Sequence, residues 1–291
     1  MEYHSDRFED HSLLFYDDKG RLVSLFPANA TSSSANASGK TLFSHQGLTY
    51  GGFILSERAT MELVLQLFDS LLNYMRAQGF GTLIYKQIPS AYHRCPSEED
   101  TYALWRNGAQ MVGCNISCTV PLLSQMRPEE ERRRRRGRAK AEELGYTVQT
   151  QVPLELFWPI MVRNLQERYN ASPVHSLEEM QLLQSRFPRQ IRCFLMRSHD
   201  GTPQAGAVVY ETAQTVHVQY GHATQRGKNE GALDLLYLSL IEFYGQNPRF
   251  HYFDFGTSNE EGGRILNESL IAQKEGFGGR GIACPIWQIT L

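Results

Sequence analysis

The feature of this sequence that most constrains its fold is an internal repeat. Both halves show the same order of patterns, namely a hairpin signal, a strand, a long helix and a second strand. In the first half the hairpin signal is at 19–20, the strand ends at 52, the helix spans 60–76 and the second strand spans 82–86. In the second half the hairpin signal is at 200–201, the strand ends at 222, the helix spans 231–244 and the second strand spans 251–255. Tyr50 and Tyr85 are 35 positions apart, as are Tyr220 and Phe255. Self-similarity at a fixed offset indicates two copies of one α/β unit.

Composition excludes several classes of protein. The chain has 291 residues, enough for two domains, and a formal charge of −2, which argues against a globally basic nucleic-acid-binding protein. None of the five cysteines forms a Cys-x-x-Cys pair, so a secreted disulfide framework is not expected. Cys114 with Cys118, and Cys95 near His93, are conceivable zinc ligands, but buried cysteines are usually small core residues, and we expect no metal. Because there is no apolar run of about 18 residues and no secretory leader, we expect no membrane insertion and a cytoplasmic location.

Hydrophobic periodicity and turn signals assign most of the chain to helices and strands. In the first half they predict strands at 12–16, 21–26 and 110–121, a flexible Ser/Ala/Asn-rich loop at 28–39 and a helix at 97–107. In the second half they predict strands at 146–152, 191–197, 205–211, 215–222 and 282–289, and helices at 154–169, from 176 and at 262–275. We therefore predict a first unit at 1–126, an Arg-rich linker helix at 127–145 and a second unit at 146–291.

The linker helix carries a run of arginines at 132–136, preceded by three glutamates at 129–131. The spacing predicts i,i+4 pairs between these glutamates and the arginines at 133–135, which is typical of a solvated helix. Contact with RNA phosphates or with an anionic substrate is the alternative interpretation.

Several segments together resemble the FemAB-type peptidyltransferase family, whose members contain two tandem units of the GNAT acyltransferase fold. The segments are 3–8, 44–52, the Arg-rich helix, Phe253-Asp254-Phe255-Gly256 and 274–279. The resemblance covers nearly the whole chain and implies an α/β (α+β) fold of two tandem GNAT-like units, each a mixed, mostly antiparallel sheet flanked by helices. It also implies an N-acyltransferase.

Two departures from the family pattern bear on function. The first unit lacks the opening β-α-α portion, so we expect that the chain starts late relative to the family. The long helical arm of family members that use aminoacyl-tRNA has no counterpart here.

The resemblance also implies where the acyl donor binds. In GNAT folds the donor pyrophosphate lies at the N-terminus of the main helix, on an Arg-x-x-Gly-x-Gly stretch. The corresponding residues here are Arg226, Gly227, Lys228, Asn229 and Gly231, which we predict to bind acyl-CoA as a co-substrate. Glu230 places a negative charge there, and a solvent-exposed helix start is the alternative. The matching first-unit stretch, 55–60, has no glycine, so we expect no CoA-like group in that copy.

Four residues are candidates for catalysis. The resemblance links Lys274 to the catalytic centre, where a cation would stabilise an oxyanion or a donor phosphate; the alternative is a surface lysine. Lys274→Ala is expected to abolish turnover without changing thermal unfolding. Asp254 lies mid-strand and is a candidate for binding the amine, or for capping the next loop. Tyr220 and His222 share a predicted strand face with His217, and one of these side chains is a candidate base, although a sheet-surface histidine is commoner.

The sequence thus predicts transfer of an acyl or aminoacyl group to an amine of a sugar- or peptide-containing substrate, such as a peptidoglycan-precursor-like molecule in cell-envelope metabolism. A tRNA-dependent aminoacyl transferase and a degenerate, non-catalytic scaffold protein are the alternatives.

Overall fold

The structure is a computed structural model that describes residues 6–31, 39–123 and 125–291, without the side chains of Arg168 and Tyr169. Its first elements are strands β1 (Glu9–Asp10), β2 (Leu13–Tyr16), β3 (Leu22–Phe26), β4 (Asn29–Thr31), β5 (Lys40–Phe43) and β6 (Ile54–Leu55), helix α1 (Met61–Ala77), strand β7 (Phe80–Lys86), helix α2 (Glu99–Arg106) and strand β8 (Gln110–Pro121).

The remaining elements are α3 (Arg132–Glu143), β9 (Thr147–Thr150), α4 (Leu154–Tyr169), α5 (Leu177–Arg186), β10 (Ile191–Arg197), β11 (Pro203–Glu211), β12 (Thr215–Ala223), α6 (Gln225–Glu230), α7 (Ala232–Gly245), β13 (Tyr252–Thr257), β14 (Asn259–Glu260), β15 (Ile265–Leu266), α8 (Glu268–Glu275) and β16 (Arg280–Thr290). The predicted elements of the second unit, β-α-α-β-β-β-α-β-α-β, occur in this order, with the short elements α6, β14 and β15 in addition.

The chain divides into two compact units that do not coincide with the predicted boundaries. The first contains Met1–Ile116, Asn259–Ile265 and Ala283–Leu291, and the second contains Ser117–Ser258 and Leu266–Ile282. The boundaries 1–126, 127–145 and 146–291 remain a prediction about the sequence repeat. In the folded chain, a late segment completes the first unit.

The first unit is built on a mixed sheet. β4 pairs antiparallel with β1 and β5, β5 pairs in parallel with β7, and residues 286–290 of β16 pair antiparallel with β7. Helix α1 buries its apolar face (Val64, Leu67, Phe68, Leu71, Leu72 and Met75) in the core of this unit. Thr60 caps the helix by accepting a hydrogen bond from the backbone N–H of Leu63.

The second unit repeats this arrangement with more elements. β9, β10, β11 and β12 pair antiparallel, β12 and β13 pair in parallel, and β13 pairs antiparallel with residues 117–121 of β8. α4 and α5 bury one apolar cluster, and α7 buries another that includes Leu236, Ile241 and Tyr244. In both units a long helix thus connects two parallel strands, so the predicted tandem repeat of a mixed sheet with helices is confirmed.

Three predictions in the first unit need correction. The hairpin at 12–26 forms, but β2 pairs with β3 and β3 pairs with β6 in a separate three-stranded sheet, so β2 and β3 do not correspond to β10 and β11. The predicted loop at 28–39 begins with strand β4; residues 32–38 lie outside the described part of the chain, as do residues 3–5 of the family-like segment 3–8. The strand predicted to end at 52 ends at Phe43, because a residue with positive φ, His45, turns the chain there.

Two predictions around the second unit are also wrong. The helix at 262–275 starts only at Glu268, because Gly262 and Gly263 have positive φ. The Arg-rich helix starts at Arg132 and packs on α7 within the second unit. Its central arginine, Arg134, is 5% exposed and pairs with Asp234 rather than with a glutamate of the preceding run. The predicted start at 127 is thus wrong and one arginine is buried, whereas Arg132, Arg133, Arg135 and Arg136 are exposed. The assignment of 127–145 as a linker stays a prediction.

Candidate active site

The candidate site lies where two parallel strands of the second unit separate. The parallel pairing of β12 and β13 covers three positions and ends at His217 and Asp254. Opposite β11, Val218 faces Val209 whereas Tyr220 faces Val208, so Gln219 is an extra residue on β12. A β-bulge of this kind bends its strand and increases the local twist. The strands therefore diverge after the bulge and leave a gap between their C-terminal halves.

A cavity of about 640 Å³ occupies this gap. Residues 218–223 of β12 and Phe255 of β13 form its strand walls, and Tyr237 of α7 lies between them. The other walls come from α3, α4, α6, α7 and α8. They are rich in charged residues: Arg133, Arg134, Lys140, Lys228, Asp234 and Lys274. Every lining residue belongs to the second unit. The strand walls therefore combine apolar side chains with Gln219, Tyr220 and His222, and the helix walls are mainly cationic.

Lys274 lies in the cavity wall near the C-terminus of α8 and is 8% exposed, so it is not a surface lysine. Its ammonium group donates to the carbonyl oxygens of Gly256 (2.9 Å) and Thr257 (2.7 Å) and to Ser258 Oγ (2.8 Å). Burial lowers the pKa of Lys274 to about 8, against the opposing effect of Asp254. Because these three bonds tie α8 to the end of β13, we now expect Lys274→Ala to lower stability as well as turnover.

Asp254 is 2% exposed and does not line the cavity. One carboxylate oxygen accepts hydrogen bonds from Ser117 Oγ (2.5 Å) and the backbone N–H of Gly256 (2.9 Å), and the other accepts from His217 Nδ1 (2.9 Å). The bond to Gly256 also fits the predicted capping of the next loop. A carboxylate so committed leaves little room for direct contact with an amine.

Tyr220 and His222 both line the cavity, and the bulge brings them to the strand face of His217. Tyr220 Oη and His175 Nδ1 share a hydrogen bond of 2.6 Å, and His222 Nδ1 donates to Asn164 Oδ1 at 3.2 Å. Burial, helped by the nearby Lys228, lowers the pKa of His222 to about 4. His222 is therefore a neutral imidazole at neutral pH.

The predicted donor loop is a short helix. Thr224 caps α6 by accepting from the backbone N–H of Gly227, and Gly231, with φ 81°, ends it. Lys228, Asn229 and Gly231 line the cavity, as predicted for a binding stretch, but Arg226 and Gly227 do not. The latter packs against the carbonyl of Gln204, where a side chain has no space.

Charged side chains of this short helix form ion pairs and hydrogen bonds with one another and with neighbouring residues. Arg226 pairs with Asp200 at 2.8 Å and with Glu230 at 3.2 Å, and Tyr146 donates its hydroxyl hydrogen to Glu230. Since Arg226 binds two carboxylates, it is poorly placed to bind a phosphate. The expected repulsion from Glu230 is also reduced, because that residue does not line the cavity.

The N-terminus of α7 is approached closely by α3. A Cβ on Gly231 would lie 2.1 Å from the carbonyl oxygen of Gly137, and a Cβ on Gly137 would lie 2.1 Å from Asp234 Oδ2. Asp234 is held by Arg134 at 2.8 Å, and that guanidinium stacks on Phe277, 4.6 Å from the ring centroid. A carboxylate therefore occupies the first turn of the helix where the resemblance predicts a pyrophosphate.

In the first unit the chain itself fills the region next to the corresponding parallel strands. Beyond β5, Ser44 Oγ accepts a hydrogen bond from the backbone N–H of Lys86, and the backbone N–H of Gly51 donates to the carbonyl oxygen of Lys86. The Lys86 ammonium binds the carbonyl oxygens of Gln46 and Leu48. That this copy binds no CoA-like group stays a prediction, and these contacts support it.

Residues 126–261 match the family described as Acetyltransferase (GNAT) domain. This stretch of the chain is similar in sequence to a GNAT acetyltransferase domain. The match confirms the prediction of an acyltransferase and covers the parallel strands and α7. No curated protein sequence matches the chain.

Solved structures support the same fold over the whole chain. A crystal structure of FemX is 11% identical, with a TM-score of 0.72, and the alignment covers 100% of this chain and 90% of that one. The structure of L-PGS from Bacillus licheniformis is 13% identical (TM-score 0.62; 96% and 84% covered). The C-terminal domain of a putative lysylphosphatidylglycerol synthetase from Agrobacterium fabrum is 13% identical (0.58; 95% and 82%). The resemblance to FemAB-type tandem GNAT proteins is thus confirmed at the level of fold.

Within 6–31, 39–123 and 125–291, no three His, Cys, Asp or Glu side chains are grouped to hold a metal ion. In the same ranges no helix is long and apolar enough to cross a membrane.

Sequence patterns did not reveal the partners of the candidate residues. His217 and Asp254 are 37 positions apart, and Ser117 and Asp254 are 137 apart. Only strand pairing brings them together. The positions of Lys274, Tyr220 and His222 in one cavity agree with their selection as candidates, while their catalytic roles stay predictions.

Proposed function

We propose that the second unit transfers an acyl group, including an aminoacyl group, from an activated donor to an amine of a sugar- or peptide-containing acceptor in cell-envelope metabolism. The observation that carries this proposal is the cavity between the diverging strands β12 and β13, with a buried ammonium group in its wall. Acyl transfer requires a held donor, a neutral amine and stabilisation of the carbonyl oxyanion.

In this proposal the acyl carbonyl lies in the gap between the strands. The bulge takes Gln219 out of the regular ladder, and its backbone N–H donates to the carbonyl oxygen. Lys274 fixes the loop after β13 and adds a positive charge near the developing oxyanion. The amine attacks the acyl carbon directly, without a covalent enzyme intermediate.

The charges of the cavity bear on the donor. The basic side chains of α3 and α6 favour a phosphate-bearing molecule, a description that fits both acyl-CoA and aminoacyl-tRNA. Asp234 and the close approach of Gly137 disfavour a diphosphate directly at the start of α7. This observation favours aminoacyl-tRNA as a second candidate donor beside acyl-CoA. One similar structure is named for lysylphosphatidylglycerol, an aminoacylated product.

A donor screen tests the proposal. Thermal unfolding is followed with acetyl-CoA, longer acyl-CoAs and aminoacylated tRNA, since a ligand of the native state raises the unfolding temperature. Transfer from each donor to glucosamine and to glycylglycine is then measured by mass spectrometry. We expect one donor class to stabilise the protein and to acylate an amine.

The outcomes separate the alternatives. Stabilisation by tRNA that weakens steeply with salt identifies the tRNA-dependent enzyme. No stabilisation and no transfer with any donor overturns the proposal and favours a scaffold protein.

A further inference from the structure

One hydroxyl group in the cavity wall has no hydrogen-bond partner. Tyr237, in the middle of α7, lines the cavity and is 6% exposed. Among the residues that the structure describes, none hydrogen-bonds to its Oη, and this oxygen is not fully enclosed by protein. Buried polar groups in folded proteins nearly always have a partner, so an unpartnered hydroxyl at a cavity indicates a group that binds a ligand.

The other buried tyrosines of the described chain all use their hydroxyl groups. Four tyrosines besides Tyr237 are 9% exposed or less, and each makes a hydrogen bond: Tyr85 with Asp100, Tyr146 with Glu230, Tyr220 with His175 and Tyr244 with Glu211. A tyrosine hydroxyl that serves folding thus has a partner within this protein. The exception at Tyr237 indicates that its hydroxyl has another purpose.

The surroundings of Tyr237 fix the position of its hydroxyl. The rings of Phe255 and Phe277 pack edge-to-face on the tyrosine ring, with centroids 5.0 and 5.3 Å away. Gly221 of β12 lies against the hydroxyl, since a Cβ at that position would overlap Oη. The hydroxyl is therefore held in the gap between β12 and β13, beside a strand residue two positions beyond the bulge at Gln219.

This hydroxyl is a donor that keeps its proton. Burial raises the pKa of Tyr237 above its usual value of about 10, although Arg134 opposes the shift. At neutral pH the group is therefore uncharged and can donate one hydrogen bond. The ammonium group of Lys274, in contrast, is already bound to three acceptors.

We propose that the Tyr237 hydroxyl donates a hydrogen bond to the carbonyl oxygen of the acyl donor, on which negative charge develops during transfer. This inference rests on the proposed acyl transfer and adds a side-chain donor to the backbone N–H of Gln219. A donor that is fixed before the reaction and aimed at a developing oxyanion stabilises the transition state more than the ground state.

Electrons and protons balance without proton transfer from the tyrosine. The lone pair of the neutral amine forms the new C–N bond, and the π pair of the carbonyl moves to its oxygen, where Tyr237 stabilises it. When this pair returns, the bond to the thiolate or alkoxide leaving group breaks, and the leaving group departs with the bonding pair. The attacking nitrogen loses the proton that the leaving group gains. Tyr237 keeps its own proton throughout.

Removal of this single hydroxyl tests the role. Each donor of the screen, namely acetyl-CoA, longer acyl-CoAs and aminoacylated tRNA, is assayed with glycylglycine as the acceptor. Tyr237→Phe is expected to lower kcat about 100-fold or more and to leave KM nearly unchanged, because the lost bond is strongest in the transition state. Its unfolding temperature is expected to equal or exceed that of the wild type, since the hydroxyl has no partner among the described residues.

Tyr244→Phe, two turns later on the same helix, is the matched control. The Tyr244 hydroxyl donates to the buried Glu211 carboxylate at 2.8 Å, and this residue does not line the cavity. The control is expected to unfold at a lower temperature and to keep the wild-type kcat. One variant thus loses activity without stability, and the other loses stability without activity.

Several results would overturn the assignment. Wild-type turnover in Tyr237→Phe excludes a role in the reaction, and a raised KM with an unchanged kcat assigns the hydroxyl to ground-state binding. A basic limb of the pH–rate profile that is lost in Tyr237→Phe shows that the tyrosine transfers its proton. A lower unfolding temperature of this variant contradicts the unpartnered hydroxyl. A wild-type protein that transfers no acyl group from any donor overturns the proposed function, and this inference with it.

Discussion

The contacts of Lys274 change what a substitution at this residue means. A buried ammonium with three acceptors contributes to folding as well as to any chemistry, because removing it leaves two carbonyl groups and a hydroxyl without their donor. The family-like motif is sufficient to select Lys274, but it does not reveal these acceptors, which lie 16–18 residues earlier in the chain. A catalytic role must therefore be judged on protein that is shown to be folded.

Lys274→Met is expected to abolish acyl transfer and to lower the free energy of unfolding by about 2–4 kcal/mol, since the change buries unsatisfied acceptors. Urea unfolding measures the stability, and the transfer assay is run at a temperature where the variant is folded. Lys19→Met, on an exposed turn, is the control and is expected to alter neither quantity. A folded variant with wild-type turnover would remove Lys274 from the site.

His222 gives a stability effect with a definite direction in pH. Its pKa is about 4 in the folded protein and near 6.5 when unfolded, so between these values the unfolded state binds the extra proton. Stability is thus lost as the pH falls from about 6.5 to about 4. His222→Gln is expected to unfold with a smaller dependence on pH in this window, which urea titrations at several pH values measure. Equal slopes for the two proteins would contradict the neutral, buried imidazole.

At the scale of elements, two glycines set the contact between α3 and α7. Gly137 and Gly231 allow the helix backbones to approach, and the pair Arg134–Asp234 lies beside them. Neither the arginine run nor the charge pattern of α3 predicts this contact. A run of arginines looks the same in the sequence whether all of them are solvated or one of them, Arg134, is buried. In contrast, the ends of α4 and β10 agree with the sequence pattern to the residue, since strong boundary signals flank them.

Gly137→Ala is expected to destabilise the second unit by about 1–3 kcal/mol, because the new methyl group overlaps the Asp234 carboxylate. Gly245→Ala, at the other end of α7, is the matched control: its Cβ meets an ordinary contact at 3.7 Å, and alanine favours the helix. Thermal unfolding followed by circular dichroism distinguishes them. Identical unfolding temperatures for the two variants would contradict the close packing.

At the scale of the whole molecule, the repeat is real but its two copies are unequal. Each has a long helix between parallel strands, yet in the first the segment after β5 packs along β7, whereas in the second β12 and β13 diverge around a cavity. The common spacing of 35 residues made the two copies recognisable from sequence. The bulge at Gln219 depends on long-range strand pairing, and so does the way in which β8 and β16 each contribute residues to both units. Local sequence patterns do not encode such pairing.

The division of the chain into two units predicts how fragments of the chain unfold. A fragment of residues 117–291 keeps α3 and the β8 residues 117–121 that pair with β13, whereas 146–291, the predicted second unit, lacks both. We expect 117–291 to unfold cooperatively and at a higher temperature than 146–291, as measured by circular dichroism. If both fragments unfold at the same temperature, neither the strand nor α3 belongs to the folding unit.

Residues 283–291 have a consequence for the order of events during translation. Ile289 lies in the core of the first unit, and residues 286–290 pair with β7. A ribosome synthesises these residues only after every residue of the second unit has been made. Although N-terminal domains generally fold first during synthesis, here the N-terminal unit must wait for the last strand. The nascent first unit therefore exposes an open edge of β7 until after the last residue of the second unit, Ile282, has been synthesised.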